Sequence, residues 1–566
     1  MCVYRIMELL NLTSYYMKKS IFKVLGIVTL CLAVLACANP SKMAKELDKI
    51  KIDCNPLEVV AGKIAVNYSI SFPAEFFVPT AVVEVVPVLK FNGKEVAGPM
   101  FGMQGEKVLD NYQVVPYKTA STQSRSFTID YEPGMEGAVL EFRSAIYNKD
   151  KSKVIANPAP IKVTEGVNCT YMLVDTKGVP SFEDDAYQKV IKESKESQIL
   201  YTVNQYNVRR SELKSKSLKE FQEYLKEIEK DERRTLVSND IIAYASPEGA
   251  EDLNTKLSNN RAKSAETAFV KTITKKYDVK DVPLNVTQIS EDWEGFQELV
   301  AASDIEDKEL ILRVLSMYSD PAVREREIRN MSSVFKTLAD KVLPALRRAR
   351  FVANVEYKNW TDEELVQIIN ENIDKLDEEA LLYGASLFDK TDAKVKVYKQ
   401  AAQKFNSSRA YNNLAAIALA ANKTSEAKSY LDKMTNKGYS YYNNMAVAAM
   451  QEKNFSKAAE YLQKAGNGKE ANQNLGALYI LDGKYQKAYD ALAPYNTFNT
   501  ALAGVLVKNY SKVGELKCKC ARANYLRAVA AARQGKASDA KSYLKEASKD
   551  AKYAERAKTD VEFAKL

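Results

Sequence analysis

Three tripeptides, Asn413-Leu414-Ala415, Asn444-Met445-Ala446 and Asn474-Leu475-Gly476, recur at spacings of 31 and 30 residues. Ala427, Ala458 and Ala488 keep the same spacings, as do Leu431, Leu462 and Leu492. Recurrence at a period of roughly 20–50 residues marks a stacked array, whose units cannot bury an apolar face without a neighbour. A fourth copy reads as Ala528, Gly535, Ala540 and Leu544, displaced 52 residues from the third by an extra helix around 500–516. Residues 359–566 are therefore expected to form an elongated repeat body.

The remaining sequence is long enough for further domains. At about 150 residues per domain, a chain of 566 residues with 46% apolar content predicts three or four globular bodies. It has no histidine, which excludes imidazole as nucleophile partner, general base or zinc ligand. The net charge of +9 is diffuse, and Arg5, Lys18, Lys19 and Lys23 against Glu8 leave +6 on the chain after residue 36. That density gives no reason to expect a nucleic-acid partner.

The N-terminus reads as an address. Met17 to Lys23 is basic, and the 13 residues Val24 to Ala36 are apolar, short of the about 20 needed to span a bilayer. Residues 1–36 are thus expected to be a signal peptide, with Met17 the expected natural start. Leu35-Ala36-Cys37 resembles the lipobox of bacterial lipoproteins, although Leu35 is bulkier than the family usually has there. The resemblance implies acylation (palmitate) at Cys37, with 37–50 as a lipidated tether. The plainer alternatives are a secretory signal with an incidental cysteine or an uncleaved apolar helix. Cys54 and Cys169 bracket the next segment and form a candidate disulfide. Cys518 and Cys520 are too closely spaced for an easy mutual bridge and read as buried thiols.

Residues 51–172 read as strands. Ile64, Val66, Tyr68, Ile70 and Phe72 alternate with small or polar residues, and Val82 to Phe91 stops at the hairpin signal Asn92-Gly93. Short strands with turn signals imply a β-sandwich of immunoglobulin-like kind, and Pro87 predicts an edge or bulge. Residues 180–358 alternate strands and helices. Ser217 to Glu220 reads as a capping box before an amphipathic helix, and strands are expected around 199–203, 241–244, 284–289 and 350–357.

In this region Tyr244-Ala245-Ser246-Pro247-Glu248-Gly249, followed by Asn254, Leu257, Ser258, Arg261 and Ala262, is similar to the OmpA C-terminal-like peptidoglycan-binding domain. That family carries Gly-aromatic-Thr-Asp-x-x-Gly and then Asn-x-x-Leu-Ser-x-x-Arg-Ala. The resemblance covers roughly 196–290 and 347–358, with an insertion of about 291–344 like that of Bacteroidota lipoproteins. It implies an α+β fold with a helical insertion and a wall-peptide site at Ser246, Glu248, Asn254 and Arg261. The family's Asp falls on Ser246, so the carboxylate that would meet the ligand's ammonium is missing, with Glu248 the nearest substitute. Ser258 also reads as a plain helix N-cap.

The C-terminal copies resemble the tetratricopeptide repeat, most closely at Asn474, Gly476, Tyr479, Gly483, Tyr485 and Ala488. This implies an all-α superhelix whose recurrent Asn413, Asn444 and Asn474 face an extended peptide, or else bond neighbouring helices. Leu526 replaces the amide in the fourth copy, so the ladder is expected to stop at three. No catalytic residue, cofactor or metal is expected, and no carboxylate pair stands out for glycoside hydrolysis. The leading expectation is a non-enzymatic outer-membrane lipoprotein, periplasmic or at the cell surface, that links the envelope through peptidoglycan contact and a repeat-bound protein partner. The alternative is a surface or β-barrel-associated scaffold, an accessory of outer-membrane protein assembly, secretion or fimbriae, that no longer binds peptidoglycan.

Overall fold

The computed structural model describes residues 40–247, 251–277, 281–305, 307–330 and 332–566. Cys37 and the signal segment lie outside them. A mostly-β N-terminal region is followed by a mixed region and a C-terminal all-helical region. The chain forms two compact units, one joining residues up to Gly178 with Ala471–Leu566, the other comprising Val179–Glu470. Among the described residues no helix is long and apolar enough to cross a membrane.

In the first unit two sheets enclose one core. Strand Lys63–Phe72 buries Ile64, Val66, Tyr68, Ile70 and Phe72, the alternation read in the sequence. Across the core Tyr68 packs edge-on against Phe142. Strand Val82–Phe91 is central, pairing throughout with Val139–Tyr147. On its other side the partner changes, from Phe101–Gly105 opposite Val82 to Val85 to Lys94–Ala97 opposite Val88 to Phe91. Pro87 sits at this change of partner, where its missing N–H leaves no ladder bond unmade; it marks neither an edge strand nor a bulge.

Three expectations change. The tether is structured from its fourth residue, since Pro40–Lys45 is a helix whose Met43 is 3% exposed inside the core. Cys54 and Cys169 are free thiols. Cys54 pairs with Tyr68 of strand Lys63–Phe72, whereas Cys169 follows Asn168, which lies beside Glu58, itself paired with Ala65 of that strand. At about 3.3 Å per residue the four residues between these levels hold the two backbones about 13 Å apart along the strands, beyond the about 7 Å a disulfide can bridge. Burial pushes the Cys54 thiol up to about 11 and that of Cys169 up to about 12. Cys518 and Cys520, by contrast, are exposed and bonded to each other. Their Cα atoms are 5.5 Å apart, within disulfide reach despite the short spacing.

The repeat array is not one body. Ile480, Ala488, Leu492, Tyr525 and Leu526 share the apolar core of the N-terminal sheets. Gly483 marks the closest approach: its φ is +72°, and an added Cβ would stand 2.3 Å from Val60, so both the turn and the contact require glycine. At the same junction the Glu562 carboxylate accepts from Asn168 Nδ2 (2.7 Å), Thr170 Oγ1 (2.8 Å) and Arg533 Nε (2.9 Å).

The second unit begins with a four-stranded sheet ordered 190–200, 348–358, 234–244, 284–289, antiparallel except for the last pair. Helices Lys216–Ile228 and Glu251–Phe269 bury Leu218, Phe221, Leu225, Ala265 and Phe269 against Ile241, Phe351 and Val355. The first of these is capped by Ser215, whose side chain accepts from Leu218 N–H, and not by Ser217, which bonds Ser197 instead. The insertion is helical, with its own core of Phe296, Val300, Ile311, Leu315 and Leu346.

Replacing Glu562 by Ala leaves Arg533 without its carboxylate in a largely buried site. This should cost about 3–5 kcal/mol, read as an earlier urea transition of the first unit, with Glu562→Gln intermediate.

Candidate functional site

Of the wall-peptide residues, Glu248 lies outside the described residues. Ser246 and Asn254 are buried, and Asn254 Nδ2 donates to the Ser246 carbonyl at 3.2 Å. Asn254, Ser258 and Arg261 project from helix Glu251–Phe269. Ser258 is not an N-cap: it sits inside the helix and donates to the Thr255 carbonyl. Arg261 is fully buried. Its Nη1 donates to the Tyr244 carbonyl at 2.9 Å, Nε to that of Gln205 at 3.0 Å and Nη2 to that of Thr202 at 3.4 Å. The guanidinium lies over the Tyr201 ring at 5.0 Å, and the Tyr201 hydroxyl donates to the Arg261 carbonyl. Its guanidinium thus already donates to three backbone carbonyls, with which a ligand carboxylate would compete.

A second cation of this region is also engaged. Arg348 donates to Asp292, which is 3% exposed, with Nε and Nη2 at 2.9 and 2.8 Å from Oδ2. Asp292 also caps helix Trp293–Ala302 by accepting from Gly295 N–H. One carboxylate therefore ties the start of the insertion to the strand at its end. Burial outweighs the facing arginine and raises the Asp292 carboxyl above the ordinary range.

The repeat asparagines do hold an extended peptide, and it belongs to this chain. Asn413 Oδ1 accepts from Glu183 N–H at 2.8 Å while its Nδ2 donates to the Glu183 carbonyl at 2.9 Å. Asn444 grips Ser181 in the same way, at 2.8 and 2.9 Å. The preceding amides add to this, with Asn412 donating to the Ser181 carbonyl and Asn443 to that of Val179, each at 3.0 Å. Asn444 Nδ2 also reaches Asn412 Oδ1 at 2.9 Å, so the two repeats are joined through their recognition side chains. Beyond the grip, the Ala186 N–H donates to Glu379, and Tyr187 stacks on Tyr383 at 4.9 Å. Glu379 is itself held by Arg409, whose hydrogen bond draws its carboxyl below the usual range.

Asn474, the third expected member, is buried in helix Lys469–Leu481 at the start of the first unit's helices. In that unit the same geometry appears at Asn499, which the sequence reading missed. Its Oδ1 accepts from Asp175 N–H at 2.7 Å and its Nδ2 donates to the Asp175 carbonyl at 2.9 Å. Arg522 donates to Asp175 Oδ2 and to the Leu173 carbonyl, and lies over Phe498 at 3.9 Å. Asn499 precedes Leu526, which carries no amide and is buried in the core. The truncated repeat Phe498–Leu506 carries another rung, and its signal was the asparagine-x-small pattern Asn499-Thr500-Ala501.

Among the described residues no group of three or more Cys, Asp or Glu is placed to hold a metal ion. No family model matches the chain, and neither does any curated protein sequence.

Native amide exchange should find the Ser181 and Glu183 amides protected. Asn444→Ala should expose the first and Asn413→Ala the second by at least tenfold, with protection in strand Lys63–Phe72 unchanged.

Proposed function

We propose that the protein is a non-enzymatic lipoprotein scaffold of the bacterial outer membrane, acylated at Cys37, whose OmpA-like region is architecture and does not hold peptidoglycan. The observation that carries this reading is the burial of Arg261 and the engagement of its guanidinium by three backbone carbonyls. The serine at position 246 supports it, since the acidic half of the family's clamp is absent. The paired sheets fit an immunoglobulin-like spacer, and the repeated helical hairpins fit tetratricopeptide units that organise a protein partner. The single-sequence lipobox supplies the anchor, on the periplasmic or the outer face.

Two measurements test the reading. The soluble chain lacking the signal should stay in the supernatant when purified peptidoglycan is sedimented. Pelleting that free diaminopimelate reverses would return the protein to the wall anchors. In cells, Cys37→Ser should abolish palmitate labelling and release the protein from the outer-membrane fraction.

A further inference from the structure

The segment clasped by the second unit's asparagines has a second edge. Ser181 and Glu183 give both their N–H and C=O groups to Asn444 and Asn413. In an extended chain alternate residues turn these groups to opposite sides, so those of Phe182 and Asp184 point away from the asparagines. Among the described residues none bonds them. An unpaired extended edge is a template for another strand.

The surroundings define what that strand should carry. Phe182 is 51% exposed, unusual for so large an apolar side chain. Phe182, Glu183, Asp184 and Asp185 line one side of a cleft of about 630 Å³, with Leu382 and Ile417 among the residues opposite. Three consecutive acidic residues, Glu183 to Asp185, line this space against a single lining cation, Lys394, so the cleft favours a positively charged occupant. We propose that the Phe182–Asp184 edge is a docking strand for a basic, extended peptide of a partner protein, which pairs with that backbone, sets an apolar side chain on Phe182 and turns lysine or arginine toward the acidic run. The groove of the array would then be read through its own occupant, the asparagines fixing the first strand and the first strand presenting the site.

This deepens the scaffold reading by naming the chemistry of the partner. It is measured without peptidoglycan, so either result can fail while the other stands. The probe is a fluorescein-labelled peptide of alternating lysine and valine, added to the full chain in detergent micelles and followed by fluorescence anisotropy. Saturable binding is expected, with an alternating glutamate and valine peptide at least tenfold weaker. Asp184→Pro removes the outward N–H and leaves Glu183 in the extended conformation its clasp needs. It should weaken binding at least tenfold, and Asp184→Ala only a few-fold. Phe182→Asp, which touches no asparagine contact, should weaken binding at least tenfold without relying on a proline. Absence of binding by the native chain, equal binding of the acidic peptide, or native affinity in Phe182→Asp would each overturn the proposal.

Discussion

The match between an asparagine carboxamide and a peptide group governs this structure. Each carboxamide offers an oxygen acceptor and an N–H donor at the spacing at which a residue in an extended chain offers one N–H and one C=O, with a second N–H to spare. Asn413, Asn444 and Asn499 each satisfy one residue of the 175–183 segment completely. Buried backbone groups left unmet cost on the order of 1–3 kcal/mol each. The segment can lie among helices only because these side chains stand in for a neighbouring strand. The grip reads backbone alone, so the identities of Ser181 and Glu183 matter less to it than their extended shape.

A similar economy of charge runs through the central sheet region. Arg261 faces carbonyl dipoles and an aromatic ring, and Arg348 faces the one buried carboxylate that also caps the insertion. Such cations order the loops around them: the turn holding Thr202 and Gln205 and the end of the strand at Tyr244 meet at one guanidinium. Planar, permanently charged arginine suits that task where lysine would not.

Elements with strong local periodicity were legible in the sequence. The alternation from Ile64 to Phe72, the strand before Ser246 and the recurrent alanines and leucines of the array stand where the pattern puts them. Long-range consequences were not. Nothing near Asn413 states that its peptide is 230 residues earlier in the same chain, because the pairing is a tertiary contact with no local signal. The Cys54 to Cys169 bridge failed for the same kind of reason: sequence order places them at the ends of a segment, whereas strand register separates them along the sheet. Asn499 was hidden by the shortened helix that carries it, although its tripeptide pattern was visible.

The clasped segment also has a place in time. Residues 175–183 leave the ribosome 230 to 324 residues ahead of the asparagines that grip them. At about 5–20 residues per second, that interval is on the order of ten seconds to a minute. During it the segment's polar backbone has water in place of amides, and the helices that will close over it do not yet exist. Assembly of the groove is therefore a late event that joins the end of the chain to its first third. A chain interrupted before residue 413 would carry the ligand without the receptor.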